Sequence, residues 1–168
     1  MKNEHGFTLV ELLITLVVAA IVLGLAVPSF QITLENNRLV TQVNEVVASV
    51  NLARSEAIKR GNNVTLTTAA GFQNGWCVHD GTGCGTAGEL RVFDAMNGVT
   101  ATAVDGVPNN VTAMIFDSRG MRVSPPATSG SVIITMEPQG CATGEVNRGR
   151  QIRIATSGRP NVSTVNCP

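Results

Sequence analysis

A long apolar run near the start of the chain constrains the fold more than any other feature. Residues 7–27 are apolar, interrupted only by Thr8, Glu11, Thr15 and Gly24. A helix of this length, rising about 1.5 Å per residue, is long enough to cross the hydrocarbon core of a bilayer. We therefore predict a transmembrane helix over residues 7–28, preceded by a short polar leader at residues 1–6.

Glu11 is the one charged residue within this run. A carboxylate in an apolar environment is costly unless a partner neutralises it. The sequence offers no cation near Glu11, so the partner is expected on another chain. A cut after Gly6 would create one, because it exposes the α-amino group of Phe7 in a neighbouring subunit. The alternative is a conventional secretory signal, which would start at Lys2 and be cleaved near residues 24–26. The apolar core of such a signal is not expected to contain a glutamate.

The residues around Glu11 carry a family resemblance. Gly6-Phe7-Thr8-Leu9-Val10-Glu11-Leu12-Leu13, the polar leader before it and Pro28 after it resemble the class III signal of type IV pilins and type II secretion pseudopilins. The resemblance implies that a prepilin peptidase in the inner membrane cuts after Gly6 and N-methylates Phe7. It also implies that Glu11 pairs with a neighbour's terminal amine during filament assembly.

Residues 29–61 are predicted to continue the helix as an amphipathic segment. Pro28 is expected to kink the helix, because it lacks the N–H that the helical ladder needs. Apolar residues then recur at steps of four and three, which indicates one buried face: Leu39, Val43, Val46, Val50, Ala53 and Ala57. Gly61 and the two asparagines after it end the helix. Residues 52–60 resemble the end of the first helix in the FimT/FimU minor pilins and the GspH pseudopilins.

Residues 62–168 are predicted to form a β-rich head. Short β-prone runs alternate with turns rich in Gly, Pro, Asn and Asp, which is typical of an antiparallel sandwich. The predicted strands are 64–68, 75–79, 89–94, 100–104, 111–117, 131–136, 150–155 and 162–165. Residues 115–120 and 154–159 resemble two strand-turn elements of GspH-type heads. The predicted fold class is α+β: a long N-terminal α-helix, half transmembrane and half amphipathic, packed on an antiparallel β-sandwich.

The four cysteines all lie in the predicted head, at Cys77, Cys84, Cys141 and Cys167. An even number in an exported domain is typical of disulfides. Three pairings are available. We favour Cys77 with Cys84, which closes a short glycine-containing loop, and Cys141 with Cys167, which holds the C-terminal end. A zinc site is not expected, because CxxC spacing is absent and the chain has two histidines.

The sequence carries no motif that indicates catalysis. A nucleophile elbow, a P-loop, a dinucleotide fingerprint and an HExxH pair are all absent. We therefore expect a protein that is not an enzyme and holds neither cofactor nor metal. Trp76, the single tryptophan, stands beside Cys77 and is expected to lie in the core of the head.

Arginines near the C-terminus are the main candidates for ligand binding. They are Arg148, Arg150, Arg153 and Arg159, and Glu145 is the one acid after Cys141. Guanidinium groups suit phosphate, so these residues could grip a DNA backbone; the alternative is a solvated face or a subunit contact. FimT-like competence pilins carry a Gly-Arg-x-Arg element, whereas residues 158–161 here have Asn161 in place of the second arginine. Across the whole chain, 12 basic and 12 acidic residues balance, which is not typical of nucleic-acid binders.

The resemblance predicts a minor pilin of a type IV pilus, processed by prepilin peptidase and incorporated at or near the tip to help initiate assembly. The alternatives are a DNA-binding minor pilin for natural transformation and a GspH-like pseudopilin of a type II secretion system. Expected partners are other minor and major pilins, the peptidase, the inner-membrane assembly platform and inner-membrane lipid, with DNA as a further candidate. The protein is expected to cross the bacterial inner membrane once, with its head in the periplasm, and then to reach the pilus at the cell surface.

Overall fold

The first element is one long helix, α1 (Leu9–Arg60). The computed structural model describes residues 7–68, 70–105, 111–126 and 130–168, with the backbone alone at residues 28 and 29. Within these ranges, α1 is the one helix long and apolar enough to cross a membrane. Its most apolar window of 18 residues has a mean hydropathy of 2.8, and none of that window is buried. The structure thus confirms a single long helix that reaches Arg60.

The chain divides into two compact units, Met1–Glu35 and Asn36–Pro168. In the first unit, the described side chains of residues 7–27 are all exposed. The second unit contains the rest of α1 and every described strand, and it has its own hydrophobic core. We call this second unit the head.

The part of α1 inside the head buries one face. Leu39, Val46, Val50, Ala53 and Ala57 have no exposed area, and Val43 is also buried. These six residues are the predicted apolar stripe, and all of them are buried. The helix ends at Arg60, and Gly61 follows with a left-handed φ of 67° that suits glycine.

The head contains nine strands among its described residues and one short 3-10 helix. They are β1 (Val64–Thr68), the 3-10 helix η1 (Phe72–Asn74), β2 (Trp76–His79), β3 (Glu89–Phe93), β4 (Val99–Val104), β5 (Ala113–Phe116), β6 (Arg122–Ser124), β7 (Val132–Pro138), β8 (Gly149–Ile154) and β9 (Pro160–Val165). Sheet 1 has the order β3-β2-β1-β5-β6, and sheet 2 has the order β4-β7-β8-β9. All the strand pairs are antiparallel.

The core lies between the inner faces of the two sheets and the apolar stripe of α1. Burial alternates along β1 and β7, as it does in strands with one face in a core. An aromatic cluster fills one part of this core: the ring of Trp76 stacks on that of Phe93 with centroids 5.1 Å apart, and Phe72 packs on Trp76 at 5.7 Å. Trp76 is 2% exposed, which confirms its predicted place in the core.

The α+β fold class is confirmed, and one strand departs from the sequence prediction. Strand β6 is not predicted, because it is three residues long and begins with Arg122, a charged residue that is 2% exposed. The guanidinium of Arg122 donates hydrogen bonds to the carbonyl oxygens of Pro125 and Gly130. Burial lowers the pKa of Arg122 from its ordinary value, and the charge of Asp105 opposes this shift. A buried arginine that bonds backbone carbonyl groups interrupts the apolar pattern by which a buried strand is predicted from sequence.

Candidate assembly and binding sites

The start of α1 places Glu11 at a helix-capping position. Thr8 precedes the first helical residue, and its side-chain oxygen accepts a hydrogen bond from the N–H of Glu11 at 3.2 Å. Thr8 and Glu11 therefore occupy the first and last positions of a Ser/Thr-x-x-Glu capping box. A carboxylate in the first turn also interacts favourably with the helix dipole. Sequence reasoning missed this second role, although the spacing of Thr8 and Glu11 was its signal.

The Glu11 side chain is exposed and makes no ion pair with any described residue. Phe7 is also exposed, at 73%. Gly6, where cleavage is predicted, lies outside the described residues. The backbone is helical at Pro28, whose side chain is not described, so the predicted kink stays a prediction.

The structure joins Cys77 to Cys84 and Cys141 to Cys167, with Cα atoms 5.7 and 5.8 Å apart. The first disulfide lies beside the end of α1, where Asp80 accepts an ion-paired hydrogen bond from Arg60 at 2.6 Å. Cys141 and Cys167 lie near the carboxylate of Glu145. Because both of these cysteines are disulfide-bonded, they offer no thiolate to a metal.

The structure does not bring the four C-terminal arginines together. Arg150 and Arg153 lie on β8 at a spacing of three residues, so they are on opposite faces of sheet 2. Arg148 precedes β8 and pairs with Glu145 at 3.1 Å, whereas Arg159 lies in the turn beyond the strand's other end. At about 3.4 Å per residue, the length of β8 alone separates these two ends by roughly 20 Å. The four side chains thus do not form one cationic surface.

Arg54 of α1 holds together two turns that belong to different sheets. We call this contact the turn junction; it consists of Arg54, Gly120 in the β5–β6 turn and Gly158 in the β8–β9 turn. The Nε–H of Arg54 donates to the carbonyl oxygen of Gly120 at 3.0 Å. A Cβ atom on Gly158 would lie inside 3.0 Å of that same oxygen. The junction therefore requires glycine at residue 158, where the β8–β9 turn lies against both Arg54 and the β5–β6 turn.

Asp117 stabilises the β5–β6 side of the turn junction. Its carboxylate accepts hydrogen bonds from the backbone N–H groups of Met121 at 2.9 Å and Arg119 at 3.0 Å, and it pairs with the Arg119 guanidinium at 2.9 Å. The hydrogen bond from Met121, with those from Arg119, lowers the pKa of Asp117 from its usual value. Sequence reasoning predicted a turn at residues 118–120 and found residues 115–120 and 154–159 similar to strand-turn elements of GspH-type heads, but it did not predict that the two turns meet.

Two family models match this chain, one at its N-terminus and one over most of the head. Residues 42–158 match the family described as type II transport protein GspH, and residues 1–27 match the prokaryotic N-terminal methylation motif. No curated protein sequence matches the chain.

Solved structures resemble the chain at the level of the fold. A crystal structure of the Pseudomonas aeruginosa type IV minor pilin FimU has a TM-score of 0.61 and 22% identity, covering 77% of this chain and 90% of that one. The minor pseudopilin EpsH from the type 2 secretion system of Vibrio cholerae has a TM-score of 0.53 and 12% identity, covering 76% of this chain and 97% of that one. Since the family match covers more than half of its residues, the chain belongs to the GspH family, and its N-terminal methylation motif and apolar helix fit a membrane-anchored pilin.

Proposed function

We propose that this protein is a minor pilin that enters a type IV pilus through its N-terminal helix. A prepilin peptidase cleaves it after Gly6 and methylates Phe7. The observation that carries this proposal is the presence in one chain of the methylation motif at residues 1–27 and the GspH-type head at residues 42–158. The exposed apolar surface of residues 7–27 supports it, because that surface needs lipid or neighbouring helices around it.

In this proposal, Glu11 is the residue that selects the neighbour. Its carboxylate has no cationic partner among the described residues of its own chain. In the apolar interior of a filament, an unpaired charge is costly, so the helix enters the filament only where a neighbour's terminal amine neutralises Glu11. The capping contact with Thr8 fixes the helix start, so that the carboxylate stands one turn from the chain end.

Replacing Glu11 by two different residues tests its charge. Glu11→Gln keeps the shape of the side chain but removes the charge. Glu11→Ala removes the charge and the rest of the side chain, and both variants keep the backbone N–H that bonds Thr8. We expect both variants to insert in the membrane and to be absent from sheared filaments, measured as the ratio of filament to membrane protein on immunoblots. Thr15→Ala, one turn further along the same helix, is the matched control and should be incorporated normally. Normal incorporation of Glu11→Gln would refute the charge-pairing role.

The role within the pilus is structural. We propose that the head is held in the periplasm by a single membrane span, then carried to or near the pilus tip, where it helps to initiate assembly with other minor and major pilins on the inner-membrane assembly platform. A strain lacking the protein is expected to make fewer pili of normal width, counted by electron microscopy. Pili in normal number would contradict the role in initiation.

A GspH-like pseudopilin is the second candidate. The observation in its favour is the fold similarity to EpsH, which extends over 97% of that pseudopilin chain, together with the description of the matched family as a transport protein. Under this alternative, the deletion strain would retain its pili and lose secretion of exported enzymes into the medium. Measuring both phenotypes in one strain distinguishes the two candidates.

A further inference from the structure

The two sheets of the head have four edge strands among the described residues: β3 and β6 in sheet 1, and β4 and β9 in sheet 2. An edge strand presents unpaired N–H and C=O groups that can pair with another chain. Soluble proteins usually block such edges with charges, bulges, short strands or covering segments. The presence or absence of these features on an edge strand therefore indicates whether that strand can pair with another chain.

Three of these edges are blocked. Strand β3 carries Glu89 and Arg91, and its pairing with β2 is interrupted by a register shift. Strand β6 is three residues long, and its Arg122 N–H is already bonded to the carbonyl oxygen of Thr156 at 2.9 Å. Strand β4 is covered by η1, and its Ala103 carbonyl oxygen accepts a hydrogen bond from Val111 at 2.9 Å.

Strand β9 has none of these protections along its length. Its sequence is Pro160-Asn161-Val162-Ser163-Thr164-Val165, without a charge, and the one proline is at its first residue. All six residues pair with β8 without a register shift. Residues 161–164 are exposed, with Val162 at 44%. The edge is therefore regular and neutral, and its valines and threonine are residues that favour strands.

The hydrogen bonds of the β8–β9 hairpin establish which backbone groups face outward. The N–H of Ala155 donates to the carbonyl oxygen of Arg159 at 3.2 Å, so these two residues form a hydrogen-bonded pair. Such pairs alternate along an antiparallel ladder, so Asn161, Ser163 and Val165 direct their backbone groups toward β8. Val162 and Thr164 then direct theirs away from the sheet. No described residue outside β9 bonds to them.

We propose that β9 pairs with β9 of a second copy of this chain, antiparallel and centred on Ser163. In this pairing, Val162 of each copy forms a hydrogen-bonded pair with Thr164 of the other, and the two Ser163 residues stand directly opposite each other. Every outward N–H and C=O group of Val162 and Thr164 then forms a hydrogen bond with the second copy. The two four-stranded sheets join into one continuous sheet.

The neutrality of β9 is the reason for choosing a second copy as the occupant. Two-fold pairing places each residue opposite a residue of the same strand in the second copy. Like charges on that strand would therefore face and repel each other, and β9 carries none. The contact covers a short strand, much less than the roughly 1,600 Å² of a standard interface. The association is therefore weak and transient, so a covalent trap is needed to detect it.

The disulfide-crosslinking experiment uses the full-length protein in its membrane. Ser163 forms the non-hydrogen-bonded centre of the pair, where facing Cα atoms lie about 4.5 Å apart, which is within disulfide range. We expect Ser163→Cys to form a disulfide-linked dimer under mild oxidation, identified by mass spectrometry of the crosslink between the two copies of position 163. Ser118→Cys, also exposed and placed in the β5–β6 turn, is the matched control for association through the N-terminal helix.

A second experiment tests the pairing by placing charged residues on β9. Val162→Lys combined with Thr164→Lys sets like charges opposite each other, and we expect it to reduce the crosslink of Ser163→Cys to the level of the Ser118→Cys control. Adding the same two charges as Ser118→Lys and Ser157→Lys should leave the crosslink unchanged. With pairing, Ser163→Cys should give about ten-fold more dimer than the control, because disulfide geometry tolerates few other arrangements. Equal dimer from Ser163→Cys and Ser118→Cys, or a crosslink at position 163 that survives the double lysine variant, would overturn the proposal.

Discussion

Gly158→Ala tests whether the turn junction holds the head together. Two physical effects act at this residue. Its φ of 74° lies in the left-handed region, where a side chain costs about 1–2 kcal/mol. In addition, the new Cβ atom would lie inside 3.0 Å of the Gly120 carbonyl oxygen and 2.7 Å from Nε of Arg54, so the two turns must separate. Overpacking of this kind costs about 1–3 kcal/mol. We therefore expect Gly158→Ala to lower the free energy of unfolding by roughly 2–5 kcal/mol.

A second glycine separates the two effects. Gly85 has the same φ of 74°, and no atom lies within 4 Å of a Cβ built on it. Gly85→Ala should therefore show the backbone cost alone, about 1–2 kcal/mol. Unfolding in urea can be followed by the fluorescence of Trp76, which is 2% exposed in the folded head and is the single tryptophan. Equal destabilisation by the two variants would show that the contact between the turns contributes nothing, and the argument for the turn junction would fail.

Two further predictions concern the head. Replacing Cys141 and Cys167 by serine should destabilise it by about 3.5 kcal/mol, and replacing Cys77 and Cys84 by about 2 kcal/mol, because the stabilisation grows with the length of the closed loop; the sequence separations are 26 and 7 residues. The midpoints of urea unfolding show which of the two variants is less stable. A lower midpoint for the variant without Cys77 and Cys84 would contradict the loop-length argument. Because the pKa of Asp117 is lowered in the folded state, its contribution is present above the ordinary pKa of an aspartate and is lost as the pH falls through the folded value. Asp117→Asn should therefore flatten the acid dependence of the urea midpoint, and an unchanged slope in Asp117→Asn would refute the assignment.

The sequence predicts best where one physical pattern dominates. The apolar stripe from Leu39 to Ala57 follows from helical periodicity, and its six residues are buried as expected. The long helix and the antiparallel β-rich head also follow from periodicity and turn residues. Strand β6 could not be predicted in this way, because Arg122 is buried by hydrogen bonds to backbone carbonyls rather than by apolar character.

The candidate sites also divide into features that a local sequence pattern can predict and features that it cannot. The spacing of Thr8 and Glu11 contained a capping box that sequence reasoning did not use. The C-terminal arginines are close in sequence, but a spacing of three on a strand places Arg150 and Arg153 on opposite faces. The turn junction depends on two glycines from distant parts of the chain, Gly120 and Gly158, whose turns belong to different sheets and lie close together in the folded head. Local patterns do not encode such a contact.

The disulfide between Cys141 and Cys167 has a mechanical consequence for the last strand. Cys167 follows β9 by two residues, whereas Cys141 follows β7, an interior strand of sheet 2. A pulling force applied at Cys167 is therefore transmitted through the covalent bond to the end of β7. The hydrogen bonds between β8 and β9 are shielded from that load, so β9 cannot be unzipped from this end. The edge strand of sheet 2 is thus kept in register within its own chain by a covalent link at its end.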